Sequence, residues 1–219
     1  MKKSFTLIEL VFVVVVIGIL SAIILPSTRS DNLREAAIQL VSHIRYTQHL
    51  AMIDDKFSVT DNEWYKKRWQ IAFHRGINTN NKWSYSIFSD SSGSSTGSPD
   101  PVEVAINPLN HSKKLTGGAN GTGLIHTGDA SATSEMNLGE KYGVTGVVLS
   151  SNCKFSGSQK IAFDNLGRPL KGAFENYSSA YPTSSRIVQN ICTITISDGI
   201  NRDVNLTIAP ETGYTCISN

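Results

Sequence analysis

The stretch KKSFTLIELVFVVVVIGILSAIILP, residues 2–26, decides the reading of this chain. Its apolar run extends from Phe5 to Leu25 and meets Pro26. As a helix rising 1.5 Å per residue, those 21 residues span about 31 Å, the thickness of a bilayer's hydrocarbon core. Val13 to Val16 are β-branched and poor helix formers in water, but lipid forces backbone hydrogen bonds inside the segment. The run therefore predicts a membrane helix. Lys2 and Lys3 precede it, which places the N-terminus in the cytoplasm and the remainder outside. A secretory signal peptide fits less well: the run exceeds the usual apolar core, and Ser21-Ala22-Ile23 is a poor cleavage site.

One acid, Glu9, interrupts the run. A carboxylate at the bilayer centre costs several kcal/mol or more, but Glu9 lies only about 6 Å along the helix from Phe5. Two readings stand. Glu9 is a boundary acid reaching the interface, or it has a cationic partner. The next charge along the chain is Arg29, so such a partner must come from another molecule or from an amine created by processing. Pro26 removes an amide donor and bends a helix. Helical patterning resumes after it, which predicts a kink rather than a stop.

That patterning is DNLREAAIQLVSHIRYTQHLAMIDD, residues 31–55. Leu33, Ala37, Leu40, Val41, Ile44 and Ala51 recur at helical spacing, with polar residues on the other faces. The segment 27–55 is thus read as the outer half of one long helix whose apolar stripe docks on a globular domain. His43 and His49 are six residues apart and do not share a face, so they are read as surface or half-buried histidines.

Residues 56–219 turn β-like, with strands predicted at 68–73, 83–88, 102–106, 143–150, 159–163, 191–197 and 203–209. Residues 198–202 read as the hairpin loop joining the last two. The Gly/Ser-rich segments 89–101 and 116–134 read as mobile surface loops. The expected fold class is α+β: a long N-terminal helix, membrane half plus amphipathic outer half, packed on a C-terminal antiparallel β-sheet domain.

Chemistry is sparse. H-E-x-x-H and C-x-x-C are absent, and GGANGTG (117–123) lacks the G-K-[ST] ending of a phosphate loop. Asp198 and Asp203 read as turn acids, too few and too widely spaced for calcium. No catalytic residue, metal or cofactor is expected, and a tethered enzyme is the weakest of the function classes. The chain carries 20 Lys+Arg against 18 Asp+Glu, a balance that disfavours nucleic acid as a partner, since such binding draws on clustered cations. Lys66-Lys67-Arg68 is the densest basic run. It reads as a solvated strand entry, with Trp64, Tyr65 and Trp69 beside it as candidate base-stacking platforms.

All three cysteines, Cys153, Cys192 and Cys216, follow the apolar run, on the side where disulfides form. Three pairings are open, as is a fully reduced state. Cys153–Cys192 is expected, tying two strand-rich segments, with Cys216 left loose three residues from the terminus.

Ser4-Phe5-Thr6-Leu7-Ile8-Glu9-Leu10 resembles the processing motif of type IV prepilins and type II secretion pseudopilins. In that family a prepilin peptidase cuts before the Phe and methylates the new amine, and the acid four residues on pairs with the N-terminal amine of a neighbouring subunit. The resemblance implies removal of residues 1–4 by a cut between Ser4 and Phe5, an assembly helix at 5–26, and Glu9 as the assembly acid. An α-amino group with an ordinary pKa near 7.7–8 is cationic enough at neutral pH to serve. Ser4 departs from the glycine usual in the family. A weaker resemblance, to the H-type minor pseudopilins and related minor pilins, rests on HIRYTQHLAM (43–52), KWSYSIFSD (82–90), KIAFDNLGRPL (160–170) and APETGYT (209–215). DNA-binding relatives carry basic residues after the glycine of the final strand, where this chain has Gly213-Tyr214-Thr215. The expected function is a structural subunit of a secretion pseudopilus or type IV pilus-like fibre, with other pilins, the peptidase and an inner-membrane assembly platform as partners. The expected location is the inner membrane, crossed once, with the C-terminal domain in the periplasm. A membrane-anchored binding domain and a DNA-uptake minor pilin are the alternatives.

Overall fold

The computed structural model describes residues 6–24, 31–92, 96–182, 186–200 and 202–218. The chain is α+β. Among the described residues, two helices, α1 (Leu7–Ile24) and α2 (Asp31–Ile53), precede ten short strands and one short α-helix, α3 (Leu138–Tyr142). The expected kink at Pro26 lies outside the described residues, between α1 and α2. Eighteen residues of α1 amount to about 27 Å. Among the described residues, no helix is long and apolar enough to cross a membrane.

The strands form two four-stranded antiparallel sheets. In one, β1 (Trp69–His74) lies between β2 (Ser84–Ser89) and β6 (Lys160–Phe163), with β7 (Pro169–Lys171) outside β6. In the other the order is β10 (Thr215–Ser218), β9 (Asp203–Ile208), β8 (Cys192–Ser197), β5 (Gly146–Leu149). A small hairpin joins β3 (Ile106–Asn107) to β4 (Asn110–Lys114). The alternation in CTITIS is that of a strand with one face in the core, since Cys192, Ile194 and Ile196 are buried while the residues between them are partly open.

The apolar stripe of α2 closes both sheets. Leu33, Ala36, Ala37, Leu40, Val41, Ile44 and Ala51 are buried in one cluster with Ile71, Phe73 and Phe163 of the first sheet and Ile194, Leu206 and Ile208 of the second. Each fully buried large aliphatic contributes about 1.5–3 kcal/mol of transfer free energy, so α2 is the element that holds the two sheets together. Its polar positions lock the arrangement. The Gln48 side-chain amide donates to the carbonyls of Gly167 (2.8 Å) and Thr212 (2.7 Å), one in the β6–β7 turn and one in the β9–β10 turn. The Arg45 guanidinium donates twice to the Thr215 carbonyl, at 3.0 and 2.6 Å, and its cation sits over the Tyr214 ring. Gly213, at φ 65°, is placed so that a Cβ would lie 2.4 Å from both the Gln48 amide and the Gly167 carbonyl, a left-handed position that only glycine fills without strain.

Several expectations need correction. Residues 102–106 are largely turn: Val104 only bridges to Phe88, and the strand proper is Ile106–Asn107. Residues 116–134 are not a mobile surface loop. Thr116 to Ala119, Leu124, Ile125, Ala132 and Thr133 are buried, with Ile125 and Ala132 in a cluster around Phe88. Asn78 fastens this segment by donating to the carbonyls of Ala119 (3.0 Å) and Gly121 (2.6 Å). A Cβ on Gly117 would lie 2.2 Å from the Met136 backbone carbon, so glycine serves close backbone approach here rather than freedom. In the 89–101 segment, Asp90 is buried and accepts from the amides of Thr96 (3.1 Å) and Gly97 (2.7 Å); residues 93–95 lie outside the described residues.

Candidate functional site

The feature that stands out beside the β-domain is the exposure of α1. Every side chain described from Thr6 to Leu20 is exposed, with the large apolar ones open to between 37% and 81%. A soluble monomer rarely shows an apolar patch beyond a few hundred Å². A helix that is apolar on all faces calls for lipid or other helices as its solvent.

Glu9 sits in the first turn of this helix. Its Oε2 accepts from the Thr6 amide (2.9 Å) and the Thr6 hydroxyl (2.8 Å), while the Glu9 amide donates back to Thr6 Oγ1 (3.4 Å). This is a capping box: the carboxylate satisfies the Thr6 amide, the Glu9 amide is shared between the Thr6 carbonyl (3.1 Å) and hydroxyl, and the negative charge lies at the positive end of the helix dipole. The spacing Thr6-Leu7-Ile8-Glu9 carries that signal in the sequence, where only the charge of the acid draws notice. Chemically, the arrangement holds a carboxylate at a fixed place on the rim of an apolar surface. Ser4, Phe5 and Pro26, the other residues singled out there, lie outside the described residues.

Cys153 and Cys192 are joined, with Cα atoms 4.7 Å apart and both side chains buried. Cys216 is free and partly open, with Sγ 3.3 Å from the Thr207 hydroxyl. The basic run is not a solvated strand entry. Lys66 pairs with Glu63, Lys67 with Asp61 at 2.7 Å, and Arg68 is buried with its guanidinium over the rings of Trp64 and Tyr181. Tyr65 is buried and the Trp69 indole donates to Asp54 at 2.8 Å, so these rings serve packing and hydrogen bonding within the domain. Asp198 accepts from Arg202 and from the Ile200 amide (2.9 Å), and these donors hold its carboxyl below the ordinary range. It is a turn acid. Among the described residues, no group of three or more His, Cys, Asp or Glu side chains is placed to share a metal.

His43 is drawn inward. The Tyr85 hydroxyl, fully buried, accepts from the Gln39 amide (3.0 Å) and stands 2.7 Å from His43 Nδ1. Tyr142 in turn donates to Gln39 Oε1 at 2.5 Å. Burial pushes His43 down to about 4, so it is neutral at neutral pH. His49 is exposed. Compared with protein-family models, curated proteins and solved structures, the chain matches none.

Proposed function

We propose that this chain is a structural pilin-like subunit: a minor pseudopilin of a type II secretion system or a minor pilin of a type IV pilus-like fibre. The observation that carries the reading is the division of labour along the chain. The α+β domain closes its core with α2 and the short α3, and the described side chains from Thr6 through α1 to Leu20 are exposed, with one carboxylate at the first turn. Such a helix stores the subunit in the membrane and then packs among like helices in a fibre. Residues 1–4 act as the basic leader, with the cut falling between Ser4 and Phe5. The mature Phe5 amine, methylated by the same peptidase, is the cation that Glu9 of a neighbour meets. The domain projects into the periplasm.

Mass spectrometry of the N-terminal peptide from native membranes tests this. The expected peptide begins at Phe5 and carries one added methyl group. A peptide that retains Met1 or Lys2 would make the chain a simple membrane-anchored domain instead.

A further inference from the structure

Two loops meet at the end of the domain where α2 begins. The β1–β2 loop and the β8–β9 loop both abut residues 143–145. The Trp83 indole donates to the Thr145 carbonyl at 3.1 Å, and a Cβ on Gly199 would lie 2.8 Å from the Thr145 hydroxyl oxygen. A cavity of about 350 Å³ lies between the first turn of α2 and the β8–β9 loop, lined by Leu33, Gly143, Ile200 and Arg202 among others. A second, of about 130 Å³, shares Gly143 and is walled by Arg75, Lys82 and Trp83 of the β1–β2 loop.

Each loop holds one isoleucine outward. Ile77 is 81% exposed and Ile200 is 76% exposed. The loop around Ile77 is firmly built: Asn78 is buried with its amide on the Ala119 and Gly121 carbonyls, and the Thr79 hydroxyl lies 2.7 Å from the Lys82 carbonyl. A fixed loop that presents a large aliphatic to water forgoes the gain of burying it unless an apolar phase receives the side chain. Cations flank these tips. Arg75 and Lys82 are exposed, and among the described residues neither is in an ion pair. The lining of the second cavity contains no acid. Arg202 is matched by Asp198 at 2.7 Å, and Glu140 and Lys141 offset one another on α3, as Arg34 and Glu35 do on α2. The excess charge at this end is therefore that of Arg75 and Lys82. Trp83, half-buried between them and Thr145, is a side chain type enriched at membrane interfaces.

From this arrangement we infer that the end of the domain bearing Ile77 and Ile200 docks on the anionic phospholipid surface of the bilayer that holds α1; the inference rests on the proposed placement of α1 in a membrane. The seven chain steps from Ile24 to Asp31 span at most about 25 Å. The first turn of α2, and the cavity beside it, thus stay within reach of the bilayer interface. The two isoleucines enter the boundary between headgroups and acyl chains while Arg75 and Lys82 meet lipid phosphates, the combination of apolar area and positive charge that holds proteins at such surfaces. A free phosphate fits less well, because it would give the isoleucines nothing to enter.

The test uses the full chain in phosphatidylcholine bilayers with and without phosphatidylglycerol. Nitroxide labels are introduced one at a time through Ile77→Cys, Ile200→Cys, Leu166→Cys and Val14→Cys in a Cys216→Ala background. Electron paramagnetic resonance reads their access to oxygen, which concentrates in lipid, and to a water-soluble nickel chelate. Leu166 lies in the β6–β7 turn at the far end of α2, and Val14 reports whether α1 is in lipid. The labels at 77 and 200 are expected to be in lipid with phosphatidylglycerol and mostly in water without it, and the label at 166 in water in both. Lys82→Gln removes a charge and, among the described residues, no hydrogen bond. It is expected to lower the ratio of docked to free domain about fivefold, and Arg75→Gln together with it about twenty-fivefold; added salt acts in the same direction. If the labels at 77 and 200 stay in water while that at 14 is in lipid, or contact neutral and anionic bilayers alike, the inference fails and the proposed function stands. Labels shielded from both oxygen and nickel would put another protein on this surface and overturn it too, as would a folded double variant that docks like wild type. A label at 14 in water would overturn both readings.

Discussion

The side-chain amide of Gln48 on α2 lies 2.8 Å from the carbonyl of Gly167 in the β6–β7 turn, and the same nitrogen reaches the Thr212 carbonyl at 2.7 Å. One side chain thus fastens one turn from each sheet to the helix. Three of the short motifs on which the resemblance to minor pseudopilins rests, HIRYTQHLAM, KIAFDNLGRPL and APETGYT, meet at this atom. Gln48→Ala should cost about 1–3 kcal/mol, two hydrogen bonds at roughly 1 kcal/mol each plus partly stranded carbonyls. For a domain of this size that is a melting-point drop of about 3–10 °C. Gly213→Ala should cost more, because its Cβ would collide with the Gly167 carbonyl as well as the Gln48 side chain. Calorimetry of the two variants checks the order; a Gly213→Ala protein as stable as wild type would mean the turn is not held as described.

His43 gives the stability a pH dependence with a definite sign. Its folded pKa of about 4 lies below the ordinary 6.5 because burial disfavours the cation. As pH falls from 6.5, the unfolded chain binds a proton that the folded chain refuses, so stability is lost between about 6.5 and 4. His74, pushed down to about 4 by burial and by Lys160, adds to the same slope. His43→Gln keeps an acceptor for Tyr85 but does not titrate. Relative to wild type it should gain up to about 3 kcal/mol by pH 4, as read by urea unfolding at several pH values. Parallel curves for the two proteins would mean that His43 titrates normally.

The disulfide should matter to folding more than to shape. Closing a loop of 39 residues removes conformational freedom worth about 4 kcal/mol from the unfolded chain in the entropy model. Reduction, or Cys153→Ala with Cys192→Ala, should lower the melting point by roughly 8–16 °C, whereas Cys216→Ala should change it little because that thiol is unpaired at the edge strand.

The sequence is legible wherever burial writes a period into it. All six residues of the α2 stripe, Leu33 to Ala51, are buried, and β1, β2, β5, β6, β8 and β9 each fall within a run rich in β-branched or aromatic residues. The strands that escape reading are NHSKK (β4), PLK (β7) and TCIS (β10). β4 is polar throughout and β7 and β10 are short, so each is a strand because a neighbour's ladder makes it one. Gly-rich 116–134 misleads because glycine has two uses, and only the Met136 backbone against Gly117 tells them apart. At the candidate site the sequence exposes Glu9 as an anomaly. The bonds to Thr6 then show that an acid here has a local use too, one that a reading built on charge alone passes over.

That local use sharpens the test of Glu9. One carboxylate caps the first turn of α1 through Thr6, and the proposed function gives it a second role, pairing with the Phe5 amine of a neighbour. Variants separate them. Thr6→Val removes the hydroxyl but keeps the Thr6 amide bond and the charge, so it should assemble nearly as well as wild type. Glu9→Gln still caps, since its amide oxygen accepts from Thr6, but it lacks the charge. Glu9→Val loses both and enters lipid more easily. If the charge pair drives assembly, Glu9→Gln and Glu9→Val should both be inserted and cut, yet join partner pilins poorly, with the valine variant at least as defective. Neither should alter the melting of the β-domain, whose core contains no α1 side chain among the described residues. If capping is the whole role, Glu9→Gln should assemble normally and Thr6→Val should fail alongside Glu9→Val. Crosslinking of membrane fractions to partner pilins reads the difference, and a Glu9→Gln protein that crosslinks as well as wild type would remove the charge pair from the explanation.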